Sequence, residues 1–264
     1  MAMIRSPIIT VMEQAARKAG RTLVRDFGEV ENLQVSLKGP ANFVSAADRR
    51  AEEIIHAELS RARPDYSFLM EERGSVPGKD ASNVWVVDPL DGTTNFLHGI
   101  PLFAISIAHV KDGVPNAGLI YNPITDELFV AERGKGAFLH NRRMRVAVRR
   151  ELANAVVTCG IPHRGRGDLG LFRKELAAVQ EQVAGIRRTG SAALDMAWLA
   201  AGRFDGFWER NLSSWDLAGG LVLLREAGGF ATDIDGGDAI LEKGSIVAGN
   251  EEIQRALLAL LKSA

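Results

Sequence analysis

The sequence predicts a mixed α and β fold, and three observations carry that prediction. Between residues 103 and 139, apolar runs of strand length are separated by short turns, the pattern of an antiparallel sheet. From about residue 151, short strands alternate with helical stretches, the pattern of an α/β half. Helical periodicity marks both ends, at residues 6–28 and 251–261. The chain has 264 residues, which permits one large domain or two small ones. The change of character places a boundary near 150, with residues 1–150 as an α+β half and 151–264 as an α/β half of one compact unit.

The N-terminal helix is expected because Ser6 can cap it and Pro7 suits its first position. Ile8, Val11, Met12, Ala15, Ala16, Ala19, Leu23 and Phe27 then recur at helical spacing, and Gly28 ends the run. Lys38-Gly39-Pro40 breaks the chain, and a second helix is expected from Asp48 to Ala62. Ser45 and Asp48 have the spacing of a capping box. Residues 66–70 read as a strand that ends at Glu71-Glu72, an acid pair that a solvated strand end would also show. Residues 84–87 read as a buried strand ending at Asp88, so neighbouring strands could bring both acidic ends to one sheet edge. The polar stretch 73–83, with Gly74, Pro77 and Gly78, reads as a mobile loop.

Strands are expected at 103–110, 117–121, 127–132 and 137–139, with Gly134-Lys135-Gly136 as a hairpin turn. Met144, Val146 and Val148 alternate with Arg143, Arg145 and Ala147, which continues the sheet. Arg142, Arg143, Arg145, Arg149 and Arg150 lack interleaved aromatics and read as a solvated face. Strands follow at 155–159, 204–208, 230–232 and 245–248, and helices at 171–184, 190–201, 217–227 and 251–261. Gly165-x-Gly167-x-x-Gly170 fits a dinucleotide fingerprint, but residues 161–164 separate it from the strand and no suitable acid ends the next one. Gly190-Ser191-Ala192 opens its helix either as a simple cap or as a donor of N–H groups to an oxyanion.

Composition excludes several functional classes. With 32 basic and 33 acidic residues, net charge argues for neither nucleic acid nor membrane. The lone Cys159, in an apolar run, rules out an intrachain disulfide and a cysteine metal site. The five histidines have no metal-ligand spacing. No apolar stretch approaches the roughly 18–20 residues that span a bilayer, and MAMIRSPIIT lacks a signal-peptide pattern, so a cytoplasmic location is expected.

The chemistry concentrates in WVVDPLDGTTNFLHGIP, residues 85–101. Asp88 and Asp91 place two carboxylates at a strand mouth, which is costly without a neutralising charge. Pro89 is expected to stop the strand there, and Gly92 allows a ligand close to the backbone. Thr93 and Thr94 add hydroxyl and N–H groups suited to an anion. Acids, glycine and threonines in this order suit a divalent cation holding a phosphate, although an Asp-Gly turn alone would be unremarked.

DPLDGTTNF resembles the first signature of the inositol monophosphatase family, within the lithium-sensitive, magnesium-dependent phosphatases of sugars and nucleotides. Trp215-Asp216-Leu217-Ala218-Gly219-Gly220 resembles the second signature, and Glu71-Glu72 the upstream acid pair. The resemblance runs from about Lys38 to about Gly249. It implies a layered αβαβα sandwich of the inositol monophosphatase and fructose-1,6-bisphosphatase type, and a homodimer. It implies that Glu71, Asp88 and the Leu90 carbonyl hold one metal and that Asp88, Asp91 and Asp216 hold another. An all-oxygen ligand set selects Mg²⁺, with Mn²⁺ as the alternative, and the family uses two or three ions.

By the same resemblance, a metal-activated water attacks phosphorus, with Glu71 at the metal that activates it and Thr93, paired with Asp48, orienting it. Gly92, Thr93 and Thr94 hold the phosphate, while Ser191, Ala192, Glu209 and Asp216 meet the rest of the substrate. Read locally, Asp48 is equally a capping residue, Glu209 an exposed acid and Asp216 a helix cap. Asn42 and Ala47 depart from the Asp and Thr common in the family, which puts a third metal in question. The implied reaction is hydrolysis of myo-inositol monophosphate, a small phosphorylated polyol, to inositol and phosphate. The alternatives are fructose 1,6-bisphosphate, histidinol phosphate or 3′-phosphoadenosine 5′-phosphate as substrate. A reading from another class is a regulatory, RNA-associated protein that binds the transcription machinery through the same fold.

Overall fold

The computed structural model describes residues 6–29, 35–39, 42–163 and 165–264, with backbone alone for 35–39 and 42–45. The Asn42 departure and the Ser45 half of the expected capping box therefore lie outside the described side chains. Helix α1 (Pro7–Phe27) starts where Ser6 Oγ accepts from Ile9 N at 3.3 Å. A hairpin of β1 (Val35–Gly39) and β2 (Asn42–Ser45) leads into α2 (Ala46–Ala62). Strands β3 (Tyr66–Met70), β4 (Gly74–Val76) and β5 (Asp80–Asp91) follow, then the short α3 (Thr93–Leu97). The first sheet is completed by β6 (Ala104–Lys111), β7 (Val114–Asn122), β8 (Glu127–Glu132), β9 (Gly136–Leu139) and β10 (Arg142–Arg143).

The remainder alternates strand and helix. It comprises β11 (Val156–Cys159), α4 (Leu169–Gln180), β12 (Gly185–Arg187), α5 (Ala192–Ala200), β13 (Gly206–Glu209), α6 (Ser214–Glu226), β14 (Phe230–Thr232), α7 (Ile240–Lys243), β15 (Ile246–Gly249) and α8 (Glu251–Ser263). The eight-stranded sheet has the order β10-β9-β8-β7-β6-β5-β3-β4 and is antiparallel except where β3 runs parallel to β5. The five-stranded sheet has the order β12-β11-β13-β15-β14, with β12, β11 and β13 parallel.

Alternation along the strands builds the layers. Trp85 and Val87 of β5, with Ile105, Ile107, Leu119 and Tyr121, pack beneath α1 and α2. The opposite face, including Ala104, Ile120, Phe129 and Ala131, packs on α5 and α6. Those helices turn Met196, Leu199, Leu217 and Leu221 to Phe207, Ile246 and Ala248 of the second sheet. The far face of that sheet, with Val157, Trp208 and Val247, is covered by Phe172 and Val179 of α4 and by Ile253 and Leu257 of α8. The molecule is an αβαβα sandwich with α5 and α6 in its central layer. Among the described residues, no helix is long and apolar enough to cross a membrane.

Three local expectations need correction. Strand β5 continues through Pro89 to Asp91, because the pairing register with β6 skips between Asp88 and Asp91 and the bulge takes a residue without an N–H. Residues 73–83 are an ordered sheet edge, with Gly74 at φ +72° turning β3 into β4 and Asp80 already in β5. The alternation after Arg143 does not extend the sheet, since Met144 is buried but Val148 is 88% exposed. Thr93 and Thr94 lie in a short helix, α3, that the motif alone does not announce.

Candidate active site

The central layer and the ends of both sheets meet at a cavity of about 290 Å³. Its first wall is the bulged end of β5. The Asp88 carboxylate is buried and accepts from Leu90 N at 2.9 Å, so the bulge that bends the strand also pins its acid. Asp91 closes the strand. Gly92, at φ +98°, then reverses the chain into α3, and a Cβ there would lie 3.0 Å from the Leu102 carbonyl. Thr93 Oγ1 donates to Asp48 Oδ1 at 2.9 Å and lies 3.2 Å from the Leu90 carbonyl. Asp48 is buried in the first turn of α2. Asn95 ties the motif to the chain before α5, donating to the carbonyls of Leu102 at 2.6 Å and Thr189 at 2.8 Å.

The second wall is made by helix starts. Ser191 caps α5, accepting from Leu194 N at 3.3 Å, and its hydroxyl donates to Asp91 Oδ2 at 2.6 Å. Ala193 N donates to the same oxygen at 2.6 Å. Asp216 sits in the first turn of α6, where its Oδ2 accepts from Ser213 N at 2.8 Å in a capping box. Asp91 and Asp216 thus lie at helix N-termini, whose positive ends offset negative charge. Ligand oxygens of Asp88, Asp91 and Asp216 all lie within 4.8 Å of one another.

Three carboxylates this close resist ionisation together. Burial raises the Asp88 pKa first, and the charges of Glu71, Asp91 and Asp216 raise it further. Burial, then Asp216, pushes Asp91 up to about 7 against the hydrogen bonds from Ser191 and Ala193. Burial lifts Asp216 to about 6 against the Ser213 N–H, and Glu71 adds to the rise. The Arg166 guanidinium lies 3.9 Å from Asp216 Oδ2, too long for a hydrogen bond. A hard divalent cation would remove the repulsion, and the all-oxygen donor set suits one. The residues present therefore fit a metal.

Glu71 stands half-buried just past β3, and its charge reaches both Asp88 and Asp216. Parallel pairing of β3 with β5 brings it there. Gly92, Thr93, Thr94, Ser191, Ala192 and Glu209 all line the cavity. Glu209 ends β13, and its pKa is raised well above the ordinary range by burial and then by Asp195, Asp216 and Asp91. Helix α5 also contributes Asp195, which is buried and accepts from Thr158 Oγ1 of β11 at 2.7 Å. Burial takes its pKa up to about 7. Sequence reasoning missed Asp195, Ala193 and Ser213. Only Ser213 carried a local signal, since Ser213-x-x-Asp216 has capping-box spacing. Cys159 is buried with its thiol pushed up to about 12 by burial, consistent with an inert side chain.

The chain is similar to known proteins along nearly its whole length. The model of the Inositol monophosphatase family matches residues 4–264. A protein of Mesorhizobium japonicum named inositol-1-monophosphatase is 64% identical over 260 residues, which is 98% of this chain and 98% of that one. The crystal structure of extragenic suppressor protein suhB from Bartonella henselae superposes with a TM-score of 0.96 at 58% identity, covering 98% of this chain and 100% of that one. A Pseudomonas aeruginosa protein named Nus factor SuhB is 42% identical over 260 residues, covering 97% of this chain and 96% of its own.

Proposed function

The chain belongs to the inositol monophosphatase family, and on that premise we propose that this phosphomonoesterase cleaves myo-inositol monophosphate to inositol and phosphate. The observation that carries the reading is the convergence of Asp88, Asp91 and Asp216 beside a cavity that also holds Thr93 and Glu209. In this reading the metal is Mg²⁺, with Mn²⁺ as the alternative, in two or three sites. Glu71, Asp88 and the Leu90 carbonyl would hold one ion, and Asp88, Asp91 and Asp216 a second. Divalent cations there supply Lewis acidity and offset the charge that builds on the phosphate.

The chain's own groups do the rest. Because the Thr93 hydroxyl donates its proton to Asp48, its oxygen remains an acceptor for one O–H of the attacking water. That hydrogen bond fixes the direction of a water lone pair toward phosphorus. N–H groups of Gly92, Thr93 and Thr94 hold the phosphate oxygens. Glu209, as a carboxylate, accepts from the hydroxyls of the alcohol. Ser191 orients Asp91 through their 2.6 Å hydrogen bond, in addition to lining the cavity with Ala192.

Phosphate release tests the reading. Inositol 1-phosphate, fructose 1,6-bisphosphate, histidinol phosphate and 3′-phosphoadenosine 5′-phosphate would each be assayed with Mg²⁺, with EDTA and with Asp88→Asn. Mg²⁺-dependent turnover led by inositol phosphate, and lost in the variant, is expected. Another leading substrate would replace the inositol reading and leave the metal chemistry in place. No turnover by folded protein in Mg²⁺ would overturn the reading outright.

The similarity to a protein named Nus factor SuhB favours a second role, binding to the transcription machinery. Asp88→Asn separates the two, because a binding role survives loss of hydrolysis. A homodimer belongs to the same family reading, and sedimentation of the purified chain tests it.

A further inference from the structure

Gly160 follows β11, and its neighbour on the adjacent parallel strand is the end of β13. Cys159 stands opposite Trp208 in that pairing, and Gly160 N lies 3.4 Å from the Trp208 carbonyl. The next residue of β13 is Glu209. A Cβ built on Gly160 would overlap Cδ and both oxygens of the Glu209 carboxylate. The whole acid group therefore occupies the space that a side chain at position 160 would fill. The backbone does not demand glycine here, since Gly160 is absent from the positive-φ residues. Space, rather than backbone conformation, calls for glycine at this position.

Glu209 cannot retreat toward the neighbouring acids without cost. Asp195, held by Thr158 Oγ1 at 2.7 Å, faces it from α5, and Asp216 and Asp91 face it from the metal end. Arg166 is a cation that acts on it. The acid thus lies among like charges and against the Gly160 backbone.

We infer that Gly160 is a positioning residue for substrate selection: its missing side chain is the berth that presents the Glu209 carboxylate to the hydroxyls of a polyol phosphate. This rests on the reading of Glu209 given above and adds the residue through which Glu209 is set. A methyl group at 160 would push the acceptor out of register with the alcohol while leaving the phosphate end of the cavity, some residues away in Asp88–Thr94, untouched.

The test compares myo-inositol 1-phosphate with p-nitrophenyl phosphate, which lacks vicinal hydroxyls, in Gly160→Ala, Glu209→Asp and the double variant. Loss of a charge-assisted hydrogen bond predicts a roughly 10- to 100-fold fall in kcat/KM on inositol phosphate for Gly160→Ala, carried mainly by KM. The aryl phosphate and the Mg²⁺ half-saturation should stay within about threefold of wild type. Shortening the acid makes room for the methyl, so Glu209→Asp should restore part of the loss in the Gly160→Ala background. Equal losses on both substrates, or a double variant no better than Gly160→Ala alone, overturn the inference. If Gly160→Ala does not fold, Gly160→Ala with Glu209→Ala empties the berth and must fold; failure of that pair also overturns it. If the wild type prefers another polyol phosphate, the inositol reading fails by itself, and the berth is judged by the same ratio on the preferred substrate.

Discussion

Ser191 shows how much one side chain can be asked to do. It caps α5 and at the same time holds Asp91, so its removal should be read in two ways. Ser191→Ala should cost about 1 kcal/mol of stability as a lost cap. It should also raise the Mg²⁺ concentration for half-maximal activity about 10- to 100-fold, as loss of a residue that orients a metal ligand does. Recovery of kcat at high Mg²⁺ is the expected result, whereas a change in substrate KM alone would assign Ser191 to the substrate instead. The raised pKa values give a second prediction. Asp91 and Asp195 have folded values of about 7, against about 3.9 when unfolded, so the native state binds more protons across that interval. Their contribution to stability is present below about pH 4 and is lost as pH rises through about 7. The melting temperature of EDTA-treated protein should accordingly fall between about pH 4 and 7. Saturating Mg²⁺ should remove the Asp91 part of that fall and leave the Asp195 part; a flat metal-free profile would contradict the prediction. The acids of the site were legible because unpaired carboxylates after apolar strands, as at Asp88 and Asp91, demand an explanation in any sequence. Their partners were not: Asp91 and Ser191 stand 100 residues apart, and nothing local to either announces the other.

Among the elements, α6 packs closely on two sides, and its glycines say why. A Cβ on Gly118 of β7 would overlap the Gly219 carbonyl, and one on Gly220 would lie 2.6 Å from Met196 Sδ. The Gly219-Gly220 pair in the second signature thus lets the α6 backbone come against β7 on one side and against the Met196 side chain of α5 on the other. Because α6 carries Asp216 in its first turn, the spacing of layers sets the position of a carboxylate. Gly118→Ala should push the helix off the sheet, at a cost of about 1–3 kcal/mol for overpacking. Urea unfolding should show that loss, and the Mg²⁺ half-saturation should rise with it. An unchanged Mg²⁺ requirement in a destabilised variant would separate packing from metal binding. The same contrast explains which elements could be read beforehand. Helix α1 declares its start through Ser6-Pro7, and α8 shows itself by its helical periodicity, while the Asn250 cap that accepts from Ile253 N at 3.0 Å emerges only in the structure. Edge strand β4 is three residues long and half polar, so pairing with β3, rather than its own periodicity, makes it a strand. Pro89 misled for a related reason: its missing N–H ends a regular ladder but suits a bulge, and bulges depend on the partner strand.

At the scale of the molecule, the metal site joins parts that pack together but are far apart in the chain. Asp88 and Asp91 belong to the eight-stranded sheet, and Asp216 belongs to the helical layer between the sheets. Without a cation, their mutual repulsion acts across that junction and opposes its packing. A cation held by all three reverses the sign of the interaction and binds the native arrangement only, since the unfolded chain has no such cluster. Stabilisation by such a ligand grows as RT ln(1 + [L]/Kd), or about 2.7 kcal/mol at a hundredfold excess over Kd. For a chain of this length that corresponds to a rise in melting temperature of about 5–10 °C. Mg²⁺ titrated into EDTA-stripped protein should therefore raise the melting temperature in proportion to the logarithm of its concentration, and KCl of equal ionic strength controls for screening. Asp88→Asn should abolish the rise, and because it also relieves repulsion among the buried acids, the stripped variant should melt at or above the temperature of the stripped wild type. A variant that melts lower and still responds to Mg²⁺ would show that Asp88 holds the strand end together and that the cation binds elsewhere.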